Sequence, residues 1–250
     1  MLKLKNKKIV VTGGNGTIGQ VLVSKLKKLG VKVEILSSKN DIRKRDNLDF
    51  EEVDYVFHLA AKLEGERKAI YDVNVLGTKN VLDEAVKNGV KRVLYVSTVM
   101  VFEDTGGIER DEGYKKKNKD DGWYADSKIK SLNLAKKYRK KIDMIIVYPC
   151  VVLKKVNNKL VKPGRWMSLV GSGKRWCNYV GVEKVADLMI KALVGGKRGE
   201  DYILGEKNIQ AGNYWWLARF VRVPEFLARI ILGMVPLDMY FSSRKINSVD

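Results

Sequence analysis

The chain has 250 residues, 45% of them apolar and 31% charged. That is enough apolar material for one large domain, or one domain with an appendage, and it excludes disorder as the state of the whole chain. The net charge of +19 fits a surface that attracts an acidic substrate, one that rests on an anionic membrane, or solvated lysine-rich helix faces; nucleic acid fits least, because no basic stripe with interleaved aromatics is present.

In chain order, Lys8-Ile9-Val10-Val11-Thr12 is a short apolar run ending in glycines and predicts a buried parallel strand. Ile18, Val21, Leu22, Leu26 and Leu29 share one face of a helix over 18–29, with Gly30 just past its end. Further strands are predicted over 31–36, 53–59, 93–97 and 144–147, the last stopped by Pro149. Helices are predicted over 74–88, closed by Gly89, and over 126–140. This alternation predicts an α/β fold, a doubly wound parallel sheet with helices on both faces. The polar stretch 115–121 reads as an exposed loop. After Pro149 the pattern loosens: a helix over 182–193, a short strand over 201–204, and short helices over 215–221 and 225–235, the second opened by Pro224. The expected organisation is therefore a dinucleotide-binding domain over 1–150 and a small C-terminal substrate lobe over 151–250, with about 178–195 returning to the main sheet.

Cys150 and Cys177 are too few for a disulfide framework and have no metal-ligand spacing, so no metal is expected and a reducing cytoplasm is the expected compartment. The basic stretch 1–8 leads straight into a strand and lacks a signal peptide's apolar core, and no run approaches the ~18 apolar residues of a membrane span.

Thr12-Gly13-Gly14-Asn15-Gly16-Thr17-Ile18-Gly19 lies between the first strand and the first helix. Glycines at 13, 16 and 19 permit a tight turn, close approach of a pyrophosphate, and close helix–strand packing. The following helix N-terminus offers free N–H groups.

Tyr124-Ala125-Asp126-Ser127-Lys128 puts a tyrosine and a lysine on one helix face. A free phenol titrates near pH 10, too high for efficient proton transfer at neutral pH; a nearby ammonium lowers that value.

With this spacing the chain resembles the extended short-chain dehydrogenase/reductase family, the NAD-dependent epimerase/dehydratase group, over most of its length. It also resembles the 3β-hydroxysteroid dehydrogenase and dihydroflavonol reductase branch. Asp41-Ile42 resembles the pair beside the adenine, His58-Leu59-Ala60-Ala61 with Lys62 the segment behind the cofactor, and Asn74-Val75-Leu76-Gly77-Thr78 the helix that follows. The stretch 178–186 resembles the opening of the late helix, although Lys184 stands where an acidic residue is usual.

The resemblance implies hydride transfer at a carbinol or carbonyl carbon, with Tyr124 as acid/base, Lys128 tuning it and holding the ribose, and Thr98 positioning the substrate oxygen. Ser97 is the alternative hydroxyl and is otherwise expected at the cofactor. The implied cofactor set is Gly13, Asn15, Gly16, Thr17, Ile18, Gly19, Ser37, Ser38, Lys39, Asp41, Ile42, Leu59, Ala60, Ala61, Lys62, Asn74, Ser97, Tyr124, Lys128, Tyr148 and Val151. No carboxylate directly follows the second strand, and Ser37-Ser38-Lys39 can hold a 2′-phosphate, so NADP leads; Asp41 folding back to the ribose would favour NAD. The segment from Ser37 to Glu52 is too short for the extra helix and strand of most relatives. Tyr148 stands where relatives often carry a substrate-contacting arginine.

A nucleotide-sugar substrate is favoured slightly, with Arg165, Lys174 and Arg175 as cations for its diphosphate. The alternatives are a sterol-like or lipid-linked substrate at a membrane surface, and a non-catalytic cofactor-binding sensor. His58, Cys150 and Cys177 read as scaffold, and Trp215 and Trp216 as lid core. Phe226, Leu227, Ile230, Ile231 and Met234, with Arg219, Arg222 and Arg229, form a tail that either packs on the lid or makes peripheral membrane contact. A small-molecule substrate, no nucleic-acid partner and a homodimer through the helices after Asn74 and Tyr124 complete the expectation.

Overall fold

The computed structural model describes residues 4–36, 40–120, 122–156, 159–161, 169–171, 176–210, 220–222 and 239–249. Five of the predicted runs form a parallel sheet: β1 (Lys8–Thr12), β2 (Lys32–Leu36), β3 (Tyr55–His58), β4 (Arg92–Val96) and β5 (Met144–Pro149). A sixth strand, β10 (Asp201–Leu204), returns from the C-terminal part to pair with β5. Strands β4 and β5 are almost entirely buried, as continuous apolar runs in a parallel sheet must be.

Two helical layers cover this sheet. Helix α1 (Thr17–Lys28) packs beside α5 (Val182–Gly195). The other layer holds α2 (Arg67–Tyr71), a π turn over Asp72–Gly77, α3 (Thr78–Lys87) and α4 (Trp123–Tyr138). Gly30 and Gly89 end α1 and α3 at φ of +73° and +63°, where any side chain would be strained.

The strand order is β10-β5-β4-β3-β1-β2. The chain goes from β1 outward to β2, then back across β1 to β3. That reversal opens a crevice beyond the carboxyl ends of β1 and β3, the place where open α/β sheets bind ligands. Between β2 and β3 the only regular element among the described residues is a 3₁₀ turn, Arg45–Asn47. Strand β2 is therefore the sheet's edge, in keeping with the short segment.

The sequence undersells the part after Pro149. The chain passes directly into β6 (Val151–Val156), which joins β7 (Lys159–Val161), β9 (Trp176–Gly181) and β11 (Lys207–Gln210) in a second sheet. Residues Phe220–Arg222 form a strand, β12, paired parallel with β8 (Leu169–Gly171), where the sequence predicts the end of a helix. Three-residue strands carry too little alternation to be told from helix by periodicity.

In the polar stretch 115–120, Lys115, Asn118 and Lys119 are exposed as a loop predicts, but Lys116 is drawn inward. Lys116 forms a bridge with Phe102, and its ammonium lies 4.5 Å from the Phe102 ring centroid. The same strap carries Glu112, whose buried carboxylate accepts the Ile203 N–H at 2.8 Å and so satisfies the edge of β10. Among the described residues no helix is long and apolar enough to cross a membrane.

Candidate active site

The floor begins at the first turn. Gly13 has a φ of +70°, and a Cβ there would lie 2.8 Å from the Ala60 nitrogen. A Cβ on Gly19 would lie 2.2 Å from the Gly13 carbonyl oxygen. Turn, helix and the segment after β3 thus touch backbone to backbone, and no larger residue fits at either position. Helix α1 opens at Gly16 with no side-chain cap and no acidic residue in its first turn. Its first N–H groups have no intrahelical partner and face the crevice with the positive end of the helix dipole. Asn15, Thr17 and Ile18 lie on this rim.

The single histidine clamps the floor from beneath. The Ala60 N–H donates to Thr12 Oγ1 at 3.1 Å, and Thr12 Oγ1 pairs with His58 Nδ1 at 2.7 Å. On the other side, His58 Nε2 pairs with Thr78 Oγ1 at 2.9 Å, which itself donates to the Asn74 carbonyl at 2.7 Å. The Thr78 proton is spent on Asn74, so His58 carries its proton on Nε2 and accepts from Thr12 at Nδ1. Complete burial pushes its pKa down to about 3, with the Lys128 charge adding to the shift. His58 is neutral scaffold.

Asn74 ties the floor to helix α4. Its side chain accepts from the Lys62 N–H at 2.7 Å and donates to the Lys62 carbonyl at 3.0 Å. The same amide donates to Ser127 Oγ at 2.8 Å, and Ser127 donates to the Tyr124 carbonyl at 2.7 Å. Asn74 lies in the π turn, a distortion frequent at functional sites. The sequence marks Asn74 for the cofactor; the bridge through Ser127 leaves no sequence signal.

Helix α4 carries Tyr124 and Lys128 on one face. Lys128 is buried and its ammonium donates to the Val96 carbonyl at 2.8 Å. Burial lowers its pKa, and the adjacent Tyr124 opposes that shift. Burial raises Tyr124 above the ordinary phenol value, while the Lys128 charge and a hydrogen bond with Thr98 pull it down. The net direction is upward, so Tyr124 is a phenol, a proton donor, at neutral pH. The sequence leads one to expect the lysine to prevail; desolvation outweighs it.

Thr98 accepts from the Met100 N–H at 3.3 Å at the start of a 3₁₀ turn, Val99–Val101, and meets Tyr124. Ser97 is buried on the other side of the strand, and its hydroxyl has no hydrogen-bond partner. Thr98 is thus the hydroxyl brought to the tyrosine. Among the exposed large apolar side chains, Met100 follows Thr98 by two residues, Trp123 directly precedes Tyr124, and Leu63 follows the β3 segment, at 44%, 49% and 63% exposure.

Asp41 is engaged within its own turn. Its carboxylate takes a two-pronged contact from Arg43, at 2.7 Å from Nη2 and 2.9 Å from Nε, and that guanidinium holds it below the usual carboxylate range. Ile42 is buried against Gly77, and Asn80 holds the Ile42 and Arg43 carbonyls at 3.0 Å each. Leu59, Ala60 and Ala61 line the segment after β3, half-buried.

Tyr148 is placed differently from the expectation. It is fully buried, lies edge-on to Phe102, and donates to Asp201 at 2.8 Å. Its side chain is part of the core. Val151 opens β6, half-buried. Ser37, Ser38, Lys39, Arg165, Lys174, Arg175, Trp215, Trp216 and the tail from Phe226 to Met234 lie outside the described residues.

A nicotinamide dinucleotide fits this arrangement. The glycine cradle that a Cβ would fill, the uncapped helix N-terminus and the unpartnered Ser97 hydroxyl are what a bound pyrophosphate and nucleoside require.

The model of the NAD dependent epimerase/dehydratase family matches residues 9–205. A Synechocystis sp. protein named provisionally as a dihydroflavonol 4-reductase is 30% identical over 240 residues, covering 80% of this chain and 68% of that protein. Among solved structures, UDP-glucose 4-epimerase of Thermus thermophilus, in complex with NAD, superposes with a TM-score of 0.74. It is 19% identical and covers 96% of this chain and 92% of that one. dTDP-4-dehydrorhamnose reductase of Bacillus anthracis, in complex with NADP, gives a TM-score of 0.77 at 17% identity, covering 98% and 94%.

Proposed function

The chain belongs to the NAD dependent epimerase/dehydratase family, and on that premise we propose that it is a reductase of carbonyl compounds with a large apolar face, using Tyr124 as the proton donor. The observation that carries the reading is Tyr124 placed beside the buried Lys128 and in contact with Thr98, where burial raises its phenol further above the neutral range. Thr98 holds the acceptor's carbonyl oxygen against Tyr124. Tyr124 Oη gives its proton to that oxygen as the carbon is reduced. Lys128 steadies the phenolate that remains and bonds the ribose. The turn from Gly13 to Gly19, with the first N–H groups of α1, holds the pyrophosphate, and Ser97 and Asn74 border the nicotinamide side. When bound, the cofactor supplies the hydride.

Two further choices rest on particular side chains. NADP(H) is preferred to NAD(H), because Asp41, the carboxylate the sequence offers to a ribose, is already paired with Arg43. An apolar acceptor is preferred because Met100 and Trp123, close in the chain to Thr98 and Tyr124, expose large apolar side chains, a feature that marks binding sites. The dihydroflavonol 4-reductase name of the Synechocystis relative agrees with it. A nucleotide-sugar acceptor is the second reading, favoured by the net charge of +19.

The test is turnover of NADPH with a panel of aryl and fused-ring ketones and, separately, with UDP- and dTDP-sugars. Oxidation of NADPH by the ketones, abolished in Tyr124→Phe, is expected. Sugar-nucleotide conversion alone would replace the first reading with the second, and no turnover of either class would overturn both.

A further inference from the structure

Lys128 is a buried cation without an ion pair among the described residues. Three groups solvate it. One is the Val96 carbonyl at 2.8 Å. The second is Tyr124, one turn back on its own helix. The third is the ring of Tyr95 on β4, whose centroid lies 4.7 Å from the ammonium. Tyr95 has no solvent exposure, and its ring leans on His58 at a centroid distance of 5.7 Å.

The ring is fixed in that attitude. Tyr95 Oη pairs with Ser131 Oγ at 2.7 Å, and Ser131 donates to the Lys128 carbonyl at 3.2 Å. Ser131 has one proton, so Tyr95 is the donor of the first bond. A closed loop results: the Lys128 backbone, Ser131, the Tyr95 hydroxyl, the Tyr95 ring face, and back to the Lys128 ammonium. A cation held over a ring in a water-free site gains more from the contact than one at the surface.

We infer that Tyr95 is a positioning residue, its ring face holding the Lys128 ammonium beside Tyr124 and its hydroxyl locking the ring to the same helix through Ser131. The titratable groups facing Lys128 are Tyr124 on α4, Tyr95 on β4 and His58 on β3. His58 stays neutral and Tyr95 stays protonated, both through burial. Only the ring's π face and the Tyr124 oxygen are left to favour the charged amine from the side-chain surroundings. The inference bears on the proposed reaction through Tyr124, but its geometry does not depend on the substrate.

Nuclear magnetic resonance of the cofactor-free protein tests it. A cation above a ring face puts its ε-methylene protons in the ring's shielding zone. In protein labelled with ¹³C-lysine, the ε signal of Lys128, identified by its loss in Lys128→Met, should stand upfield of the lysines that face no ring. It should persist in Tyr95→Phe, shift part of the way back in Ser131→Ala, and return to the main group in Tyr95→Leu. With ¹³Cζ-tyrosine, the Tyr124 titration should move up by about one pH unit in Tyr95→Leu and hardly at all in Tyr95→Phe. An unshifted lysine ε signal in the wild type overturns the inference even if Tyr95→Leu does not fold. A Tyr124 titration equal in the Leu and Phe variants overturns it as well. Loss of turnover with these signals intact would count against the proposed reaction alone.

Discussion

Two regions of the molecule each hold a lysine against aromatic rings, and they use it differently. At the sheet's edge, Lys116 lies over Phe102 and Tyr148 and donates to two carbonyls of its own strap, Glu112 at 2.6 Å and Tyr114 at 3.3 Å. The neighbouring carboxylates of Asp201 and Glu112 oppose the cost of its burial. In the floor of the candidate site, Lys128 lies over one ring and donates to one carbonyl, with no carboxylate among the described residues to oppose burial. An ammonium has three donors. Lys116 has acceptors close at hand in a loop that closes on itself, as a strut does. Lys128 has donor capacity to spare, which is what the proposed ribose contact needs.

The sharpest way to break this contrast is to remove each group and read both activity and stability. Tyr124→Phe and Lys128→Met are expected to lower kcat by about 10²–10⁴-fold with little change in Tm. Lys116→Met is expected to leave kcat within about twofold and to cost roughly 1–2 kcal/mol, a few degrees in Tm. Loss of activity in Lys116→Met with unchanged Tm would abolish the distinction.

The strap makes a second, smaller claim through Glu112. Burial raises its pKa, so the folded state favours the protonated form. Its contribution to stability is therefore full below pH 4.5, the unfolded value, and declines as pH rises through the folded value. Glu112→Gln keeps an acceptor for the Ile203 N–H and removes the charge. It should match or exceed wild-type Tm at pH 7 and fall short of it nowhere above. Glu112→Ala strands that N–H and should cost about 1–3 kcal/mol. Thermal melts of both variants across pH decide it.

For His58 the expected result near neutral pH is the absence of any change. Its folded pKa is lowered to about 3 from 6.5, so the neutral ring's contribution is complete above pH 6.5 and is lost as pH falls toward 3. Its ring signals should show no titration between pH 5 and 8. A midpoint within that range would contradict the hydrogen-bond chain from Ala60 to Asn74.

Much of the floor was legible in the sequence because its constraints are local. Gly13, Gly16 and Gly19 follow a strand and open a helix, and the Tyr124–Lys128 spacing needs only helix geometry. The short stretch between Ser37 and Glu52 announced the missing strand. What stayed hidden is made of contacts between distant segments. Ser127 and Ser131 look like ordinary helix serines until Asn74 and Tyr95 arrive from 53 and 36 residues away. Tyr148 occupies a position where a resemblance suggests ligand contact, but a tyrosine's ring packs into the core and spends its hydroxyl on Asp201. The exposed-loop reading of 115–121 missed Lys116, which hides its charge over rings where polarity alone predicts exposure.

The most direct measurement is titration of the purified protein with NADPH and with NADH, following energy transfer from tryptophan to the reduced nicotinamide. Trp123 is half exposed beside Tyr124 and is the natural donor. The account predicts saturable binding of both, tighter for NADPH, with most of the transfer lost in Trp123→Phe. Binding of neither cofactor would contradict it at its centre.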